Sequence, residues 1–135
     1  MKNEEKQKIR KFTDLKVWQE SRKLVKCIYK ITYLFPKEEM FGLVSQMKRS
    51  SVSIASNIAE GFKRDTMKDK VHFYIMAHGS LTELQNQLIL SNDLEFLDEC
   101  SHRDLMTLSD RVDQMLNGII RARKARINGS IFPIP

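Results

Sequence analysis

The segment from Gln46 to Arg64, QMKRSSVSIASNIAEGFKR, decides the fold because small residues recur along one side of a predicted helix. Ser51, Ala55 and Ala59 are four residues apart, so they lie above one another on one helical face. Small side chains let another backbone approach closely, and we therefore expect a neighbouring helix to pack tightly against this face. This pattern indicates a helix bundle rather than a large ligand pocket.

Three- and four-residue steps between apolar residues predict four helices joined by short connections. The predicted helices run from about Asp14 to Leu34, from Glu38 or Glu39 to between Gly61 and Arg64, from Met67 to Asn92, and from His102 to Ile127. The sequence therefore predicts an all-α fold, an antiparallel up-down-up-down four-helix bundle. Residues 13–128 form this predicted bundle, between a basic N-terminal arm of residues 1–12 and a C-terminal tail of residues 129–135.

Two local patterns refine the predicted helices. Thr66 is followed three residues later by Asp69, and Ser101 is followed by Asp104, so each pair predicts a capping box at a helix start. Gly79-Ser80 falls in the middle of the third predicted helix, where it indicates close approach of another backbone rather than a ligand site.

Charge is unevenly distributed along the 135 residues. The 23 Lys and Arg outnumber the 17 Asp and Glu, and bases concentrate in residues 1–11 and 121–126. In contrast, residues 83–113 contain eight acids and two bases. The basic ends are explained either as solvated termini or as arms that contact nucleic-acid phosphates without base specificity. A basic half and an acidic half also favour oriented association, with a polyanion or head to tail between copies.

The candidate phosphate contacts lie near the exit of the second predicted helix and in the last turns of the fourth. They are Lys63, Arg64, Lys68, Arg121, Arg123, Lys124 and Arg126. The sequence contains no aromatic RNA-binding motif, zinc-finger spacing or helix-turn-helix signal, so it does not predict sequence-specific recognition of bases.

Residues 1–11 contain no apolar run, and no segment approaches the length of a membrane span. We therefore expect a cytoplasmic protein with no signal peptide and no membrane contact. Cys27 and Cys100 are far apart and show no disulfide or metal spacing, so we expect two reduced, buried thiols.

The sequence offers little for catalysis. Glu99-x-x-His102 is a single formal match to the motif that di-iron bundles carry twice, and it falls at a predicted helix start. No glycine-rich phosphate loop and no nucleophile with an adjacent base is recognisable. We expect no cofactor, no metal and no enzymatic activity.

A set of polar residues in the second and third predicted helices needs partners where it is buried. The set comprises Gln46, Arg49, Asn57, Glu60 and Glu83. One hypothesis pairs Arg49 with Glu60 or Glu83, either within the bundle or across a subunit boundary. Such a pair, if buried, would add specificity of packing more than stability.

Several short motifs resemble one bacterial family, the four-helix-bundle proteins encoded in intervening sequences of 23S ribosomal RNA genes, also called the S23 family. The motifs are Phe12-x-x-Leu15-x-Val17-Trp18, Phe35-Pro36-x-Glu38, Phe41-Gly42-Leu43, Gln46-x-x-Arg49, Ser53-Ile54, Asn57-Ile58-Ala59-Glu60-Gly61 and Gly79-Ser80-Leu81-x-Glu83-Leu84. The resemblance covers about residues 12–120. It implies a cytoplasmic bundle that assembles into a ring, typically a homopentamer, without enzymatic activity.

The resemblance favours a protein associated with ribosomal RNA that binds RNA mainly through phosphate contacts. A related branch comprises the accessory variability proteins of diversity-generating retroelements, which bind nucleic acid and a reverse transcriptase. The alternative function is therefore an oligomeric scaffold for a protein partner, in which the acidic region around Glu95, Asp98, Glu99 and Asp104 matters as much as the basic ends.

Overall fold

The structure is a computed structural model that describes residues 8–128. These residues form four α-helices and no strand, and the helices pack into a bundle, which confirms the predicted all-α class. The helices are α1 (Lys16–Thr32), α2 (Leu43–Lys63), α3 (Met67–Asp93) and α4 (Glu99–Ile127). Short 3-10 helices at Phe12–Asp14 and Lys37–Glu39 precede α1 and α2.

The observed start of α2 lies later than predicted. Residues Lys37–Glu39 form a separate 3-10 turn, and α2 begins only at Leu43. The Glu39 carboxylate accepts a hydrogen bond from the Leu43 backbone N–H at 3.3 Å. Glu39 therefore contacts the first residue of α2 although it lies before the helix. The end of α2 at Lys63 and the bounds of α3 agree with the predictions.

The predicted cap at Thr66 is confirmed, and the predicted cap at Ser101 is wrong. Thr66 Oγ1 accepts a hydrogen bond from the Asp69 N–H at 3.1 Å. At the start of α4, Asp98 is the N-cap, because its carboxylate accepts the Ser101 N–H at 2.7 Å. The helix therefore begins at Glu99, three residues before the predicted His102.

Substitutions at the two predicted caps should have unequal effects. Thr66→Ala is expected to lower the free energy of unfolding by about 1 kcal/mol, because the substitution leaves the Asp69 N–H without its partner. Ser101→Ala should change it much less, because the capping carboxylate of Asp98 remains. Urea denaturation of both variants measures the difference, and equal losses would contradict the assignment of Asp98 as the cap.

The Asp98 cap makes the stability of the fold depend on pH. The hydrogen bond from the Ser101 backbone, followed by the one from its hydroxyl, lowers the pKa of Asp98 below its usual value of 3.8. A carboxyl whose pKa is lower in the folded state stabilises the fold above the unfolded-state pKa. That contribution is lost as the pH falls through the folded-state pKa.

The bundle core consists of apolar side chains from all four helices. Leu24, Ile28, Met47, Ile54, Ile58, Leu81, Leu84, Leu88, Val112 and Leu116 are fully buried. Both cysteines lie outside this core: Cys27 and Cys100 are exposed, so the prediction of buried thiols is wrong. Cys27 lies on the outer side of α1, one position before buried Ile28.

None of the helices within residues 8–128 combines the length and hydropathy needed to cross a bilayer.

Contacts between α2 and α3, the most extensive helix pair, change in a regular order along the chain. Gly61 lies against Tyr74, and the Ser53 and Ser80 hydroxyls are 2.8 Å apart. Nearer the start of α2, Met47 Sδ accepts a hydrogen bond from the Ser91 hydroxyl at 3.5 Å. As residue numbers fall along α2, those of the contacting residues on α3 therefore rise.

Side chains of α3 pack closely against Gly61, whereas no part of the described chain packs against Gly79, so the prediction of close approach at Gly79 is wrong. A Cβ atom on Gly61 would lie 2.7 Å from Tyr74 Cε1 and 3.2 Å from Phe73 Cβ. A Cβ atom on Gly79 would meet no heavy atom within 4 Å, since this residue faces outward from α3. In the described residues the helix contact at this level is made by the next residue, Ser80.

The small-residue face of α2 is only partly covered. Ser51 is fully buried, in agreement with the prediction. Ala55 and Ala59 instead line an open cleft whose other wall carries Trp18 and Val25 of α1. The prediction of tight packing along the whole face is therefore wrong at the two alanines, where the larger α1 side chains border the space without filling it.

Candidate nucleic-acid interface

Lys70 joins the start of α3 to the end of α2. Its ammonium group donates a hydrogen bond to the Phe62 carbonyl at 2.6 Å and lies 3.5 Å from the Gly61 carbonyl. Both carbonyls belong to the last turn of α2, where backbone oxygens lack helical partners. The contact places the basic residues at the end of α2 beside those at the start of α3.

The end of α4 reaches the same region. Burial lowers the pKa of Lys70, and the nearby Arg123 guanidinium lowers it further, while Asp65 acts in the opposite direction. Arg123 also opposes the rise that burial causes in the pKa of Tyr74. Arg123 is therefore close to both α3 side chains.

The start of α1 completes this side of the molecule. Lys16 and Arg123 line one groove of about 410 Å³ between α1 and α4, and Ile9 of the N-terminal arm lies in it as well. We call the gathered basic residues the basic end. Its members are Arg10, Lys11, Lys16, Lys63, Arg64, Lys68, Lys70, Arg121, Arg123, Lys124 and Arg126.

The seven predicted phosphate contacts differ in their availability. Five are exposed and form no ion pair within residues 8–128: Lys63, Lys68, Arg121, Lys124 and Arg126. Arg64 pairs with Glu60 at 3.0 Å, and its guanidinium carbon lies 4.5 Å from the centroid of the Phe73 ring. Arg123 is half-buried.

The predicted polar set divides into one inward residue and four outward ones. Asn57 Nδ2 donates to the Ser53 carbonyl at 2.9 Å and lies 3.1 Å from the Ser53 hydroxyl, so it joins the contact with α3. Gln46, Arg49, Glu60 and Glu83 are exposed. Arg49 forms no ion pair within residues 8–128, so the hypothesised pairing with Glu60 or Glu83 inside the bundle is not found there, and Glu60 pairs with Arg64 instead.

The opposite connections of the bundle are acidic and apolar. The Phe35 and Phe96 rings, with centroids 5.7 Å apart, join the α1–α2 connection to the α3–α4 connection. Asp93, Glu95, Asp98, Glu99 and Asp104 lie around the second connection. Large apolar side chains in the first are open to solvent, with Tyr33 88% and Phe41 93% exposed.

Metal-binding residues do not converge in the part of the chain that the structure describes. No three His, Cys, Asp or Glu side chains among residues 8–128 are grouped so that they could hold an ion. Glu99 and His102, the single Glu-x-x-His match, lie in the first turn of α4.

Comparisons with known proteins agree with the fold. The model of the family described as 23S rRNA-intervening sequence protein matches residues 13–118. A crystal structure of a protein of unknown function from the S23 ribosomal protein family of Bacteroides thetaiotaomicron has a TM-score of 0.71. That chain is 22% identical, and the match covers 78% of this chain and 98% of the other, which shows a shared fold. No curated protein sequence is significantly similar. Since the family model covers most of the bundle, the chain belongs to the 23S rRNA-intervening sequence protein family.

Proposed function

We propose that the protein is a non-enzymatic, cytoplasmic RNA-associated bundle that binds phosphates of 23S ribosomal RNA through its basic end. The observation that carries the proposal is the convergence of bases from separate segments: the end of α2, the start of α3 and the end of α4. Five of these bases are exposed and form no ion pair among residues 8–128. Such groups release condensed counterions when they neutralise phosphates, which provides affinity without base specificity.

An antiparallel up-down-up-down order of the helices supports this arrangement. The α2–α3 contacts run in opposite directions along the two helices. Between α3 and α4, the Gln85 amide donates a hydrogen bond to the Ser109 hydroxyl at 2.9 Å, and His78 pairs with Asp113 at 2.7 Å. As residue numbers fall along α3, those of the contacting residues on α4 therefore rise. In such an order the end of α2, the start of α3, the end of α4 and the start of α1 share one side of the bundle.

The proposal is tested by measuring binding to a 23S ribosomal RNA fragment and to an unrelated RNA of equal length over a salt series. We expect binding whose logarithm falls steeply and linearly with the logarithm of salt concentration. A preference for the ribosomal fragment would support a specific ribosomal association. Absence of binding at moderate salt by folded protein would overturn the proposal.

We further propose that the protein functions as a ring-forming homo-oligomer, a homopentamer by family resemblance. Large apolar side chains at exposed positions of α3 support a contact between copies, because exposed apolar surface is typical of interaction sites. They are Ile75, Met76, Ile89 and Leu90, each more than 40% exposed. Gly79 lies among them with open space at its Cβ position, which permits close approach by a second chain.

Arg49→Ala tests whether the exposed guanidinium belongs to a subunit boundary. Since Arg49 has no ion-pair partner within residues 8–128, its removal should leave helical content unchanged while lowering the assembled mass at micromolar concentration. Light scattering and circular dichroism provide the two measurements. An unchanged assembly with a selective loss of RNA binding would instead make Arg49 a phosphate contact.

A second candidate function is a scaffold for a protein partner, such as a reverse transcriptase in the manner of retroelement accessory proteins. The exposed apolar side chains Tyr33, Leu34, Met40 and Phe41, close to an acidic connection, favour it, because contiguous exposed apolar surface is typical of interaction sites. Genomic position separates the candidates. A gene within a ribosomal RNA operon supports the first, and a gene beside a reverse-transcriptase gene supports the second.

A further inference from the structure

The cleft between α1 and α2 combines an aromatic wall, a floor of small residues and a cationic rim. Its volume is about 360 Å³. Phe12 and Trp18 form the aromatic wall, Ala55 and Ala59 the floor, and Arg22 and Lys26 the rim. The contacts already described for the basic end and the core do not account for this cleft.

Packing holds the Trp18 ring in place at the cleft. The Phe12 ring meets it edge to face, with centroids 5.4 Å apart and planes at 73°. Trp18 remains half-exposed because Ala55 and Ala59 are too short to cover it. A large aromatic side chain is thus fixed beside empty, mostly apolar space instead of being buried in the core.

The charges around the cleft favour an anionic ligand. The Arg22 guanidinium carbon lies 5.6 Å from the Trp18 ring centroid, and Lys26 stands one helical turn farther along α1. Within residues 8–128, no carboxylate lines the cleft. The nearest acids along the two helices are engaged elsewhere, because Glu60 pairs with Arg64, and Glu20 pairs with Lys23 and Arg111.

A flat aromatic ring attached to an anionic backbone fits both properties. Unstacked nucleobases bind proteins by stacking on aromatic side chains and arginine planes. Lysine and arginine side chains neutralise the adjoining phosphates. We propose that the α1–α2 cleft receives an unpaired nucleobase of the bound RNA, stacked on Trp18, with Arg22 and Lys26 contacting the flanking phosphates. This inference rests on the proposed RNA binding and adds to it a preference for unpaired over duplex RNA, whose bases remain inside the helix.

Trp18 is the only tryptophan of the chain, so its fluorescence reports on the cleft. The full-length protein is titrated with a single-stranded oligoadenylate and with an RNA duplex carrying the same number of phosphates. We expect the single strand to quench the fluorescence at saturation and the duplex to bind through the basic end without quenching. The inference would be overturned if both RNAs quenched the fluorescence equally, or if both bound and neither quenched it. Either result would leave the proposed phosphate binding intact. No binding of either RNA would overturn both proposals.

Filling the cleft provides the decisive variant. Ala55→Leu should abolish the quenching and weaken single-strand binding by about tenfold, within the range measured for loss of one stacked base. Duplex binding should stay the same. Ser45→Leu, at an exposed small residue on the same helix outside the cleft, serves as the matched control and should change neither.

Arg22→Ala keeps the test decisive if Ala55→Leu fails to fold, because Arg22 is exposed on α1. It should lower single-strand affinity and reduce the salt slope for the single strand by about 0.7, without changing the slope for the duplex. The assembled mass is measured for each variant. If Ala55→Leu or Arg22→Ala alters the mass while quenching by the single strand persists, the cleft is a contact between copies and the inference fails.

Discussion

A variant with Lys63, Lys68, Arg121 and Lys124 all replaced by Gln should bind RNA about 100- to 1000-fold more weakly at about 0.1 M salt. Each of these residues is exposed and forms no ion pair within residues 8–128, so each can neutralise a phosphate and release the cation condensed on the RNA there. The salt slope should fall by about 3, since each contact contributes roughly 0.7 for a single strand. Fluorescence anisotropy with a labelled 23S ribosomal RNA fragment over a salt series measures both quantities.

A control variant must remove the same amount of charge from elsewhere on the molecule. Replacing Lys23, Lys30, Lys37 and Arg103 by Gln does so, because these exposed bases lie outside the basic end. The control should retain most of the slope, since only charges that meet phosphates release counterions. Equal losses in the two variants would show that total charge, and not the basic end, governs binding.

Gly61→Ala should lower the free energy of unfolding by about 1–3 kcal/mol, the usual range for overpacking a tight interface. The new methyl carbon would lie 2.7 Å from Tyr74 Cε1, and Tyr74 is itself buried. The Phe73 Cβ, 3.2 Å from the same position, limits movement in another direction. Relief of the glycine penalty in a helix offsets the loss by at most about 1 kcal/mol.

Gly79→Ala is the matched control because it makes the same chemical change in a helix where the Cβ position is open. It should leave subunit stability unchanged or raise it by up to about 1 kcal/mol. Urea denaturation gives both values. A stable Gly61→Ala variant would contradict the contact with Tyr74. A Gly79→Ala variant with normal subunit stability and reduced assembled mass would place that glycine at a subunit boundary.

The helices were predictable from the sequence because their apolar periods are long and their ends carry strong signals. The bounds of α3 follow from Thr66 and from apolar steps that continue into the last turn. The start of α4 was harder to predict, since Asp98 and Ser101 both suit an N-cap and lie three residues apart. Gly61 lies in the last turn of α2 and Gly79 in the middle of α3, but what stands opposite each glycine depends on the tertiary packing, which no local pattern reveals.

The candidate site was predictable in its charges and not in its shape. Clustered bases in the sequence indicated the candidates Lys63, Lys68 and Lys124, but only the folded chain shows that Arg64 is paired with Glu60 and that Arg123 is half-buried. The cleft at Trp18 escaped prediction because alanines on a helix suggest close packing as readily as open space. The Arg22 side chain, four residues after the only tryptophan, was the one local signal that could have indicated it.

The separation of a basic end from an acidic connection would link the proposed assembly to the proposed RNA binding. If copies in the proposed ring pack side by side with the same orientation, their basic ends would stand next to one another and repel. A polyanion that bridges neighbouring subunits would relieve this repulsion, so RNA and subunits would bind each other with positive cooperativity. The same repulsion would make the association constant of the subunits rise with ionic strength in the absence of RNA, opposite to the salt dependence of RNA binding itself.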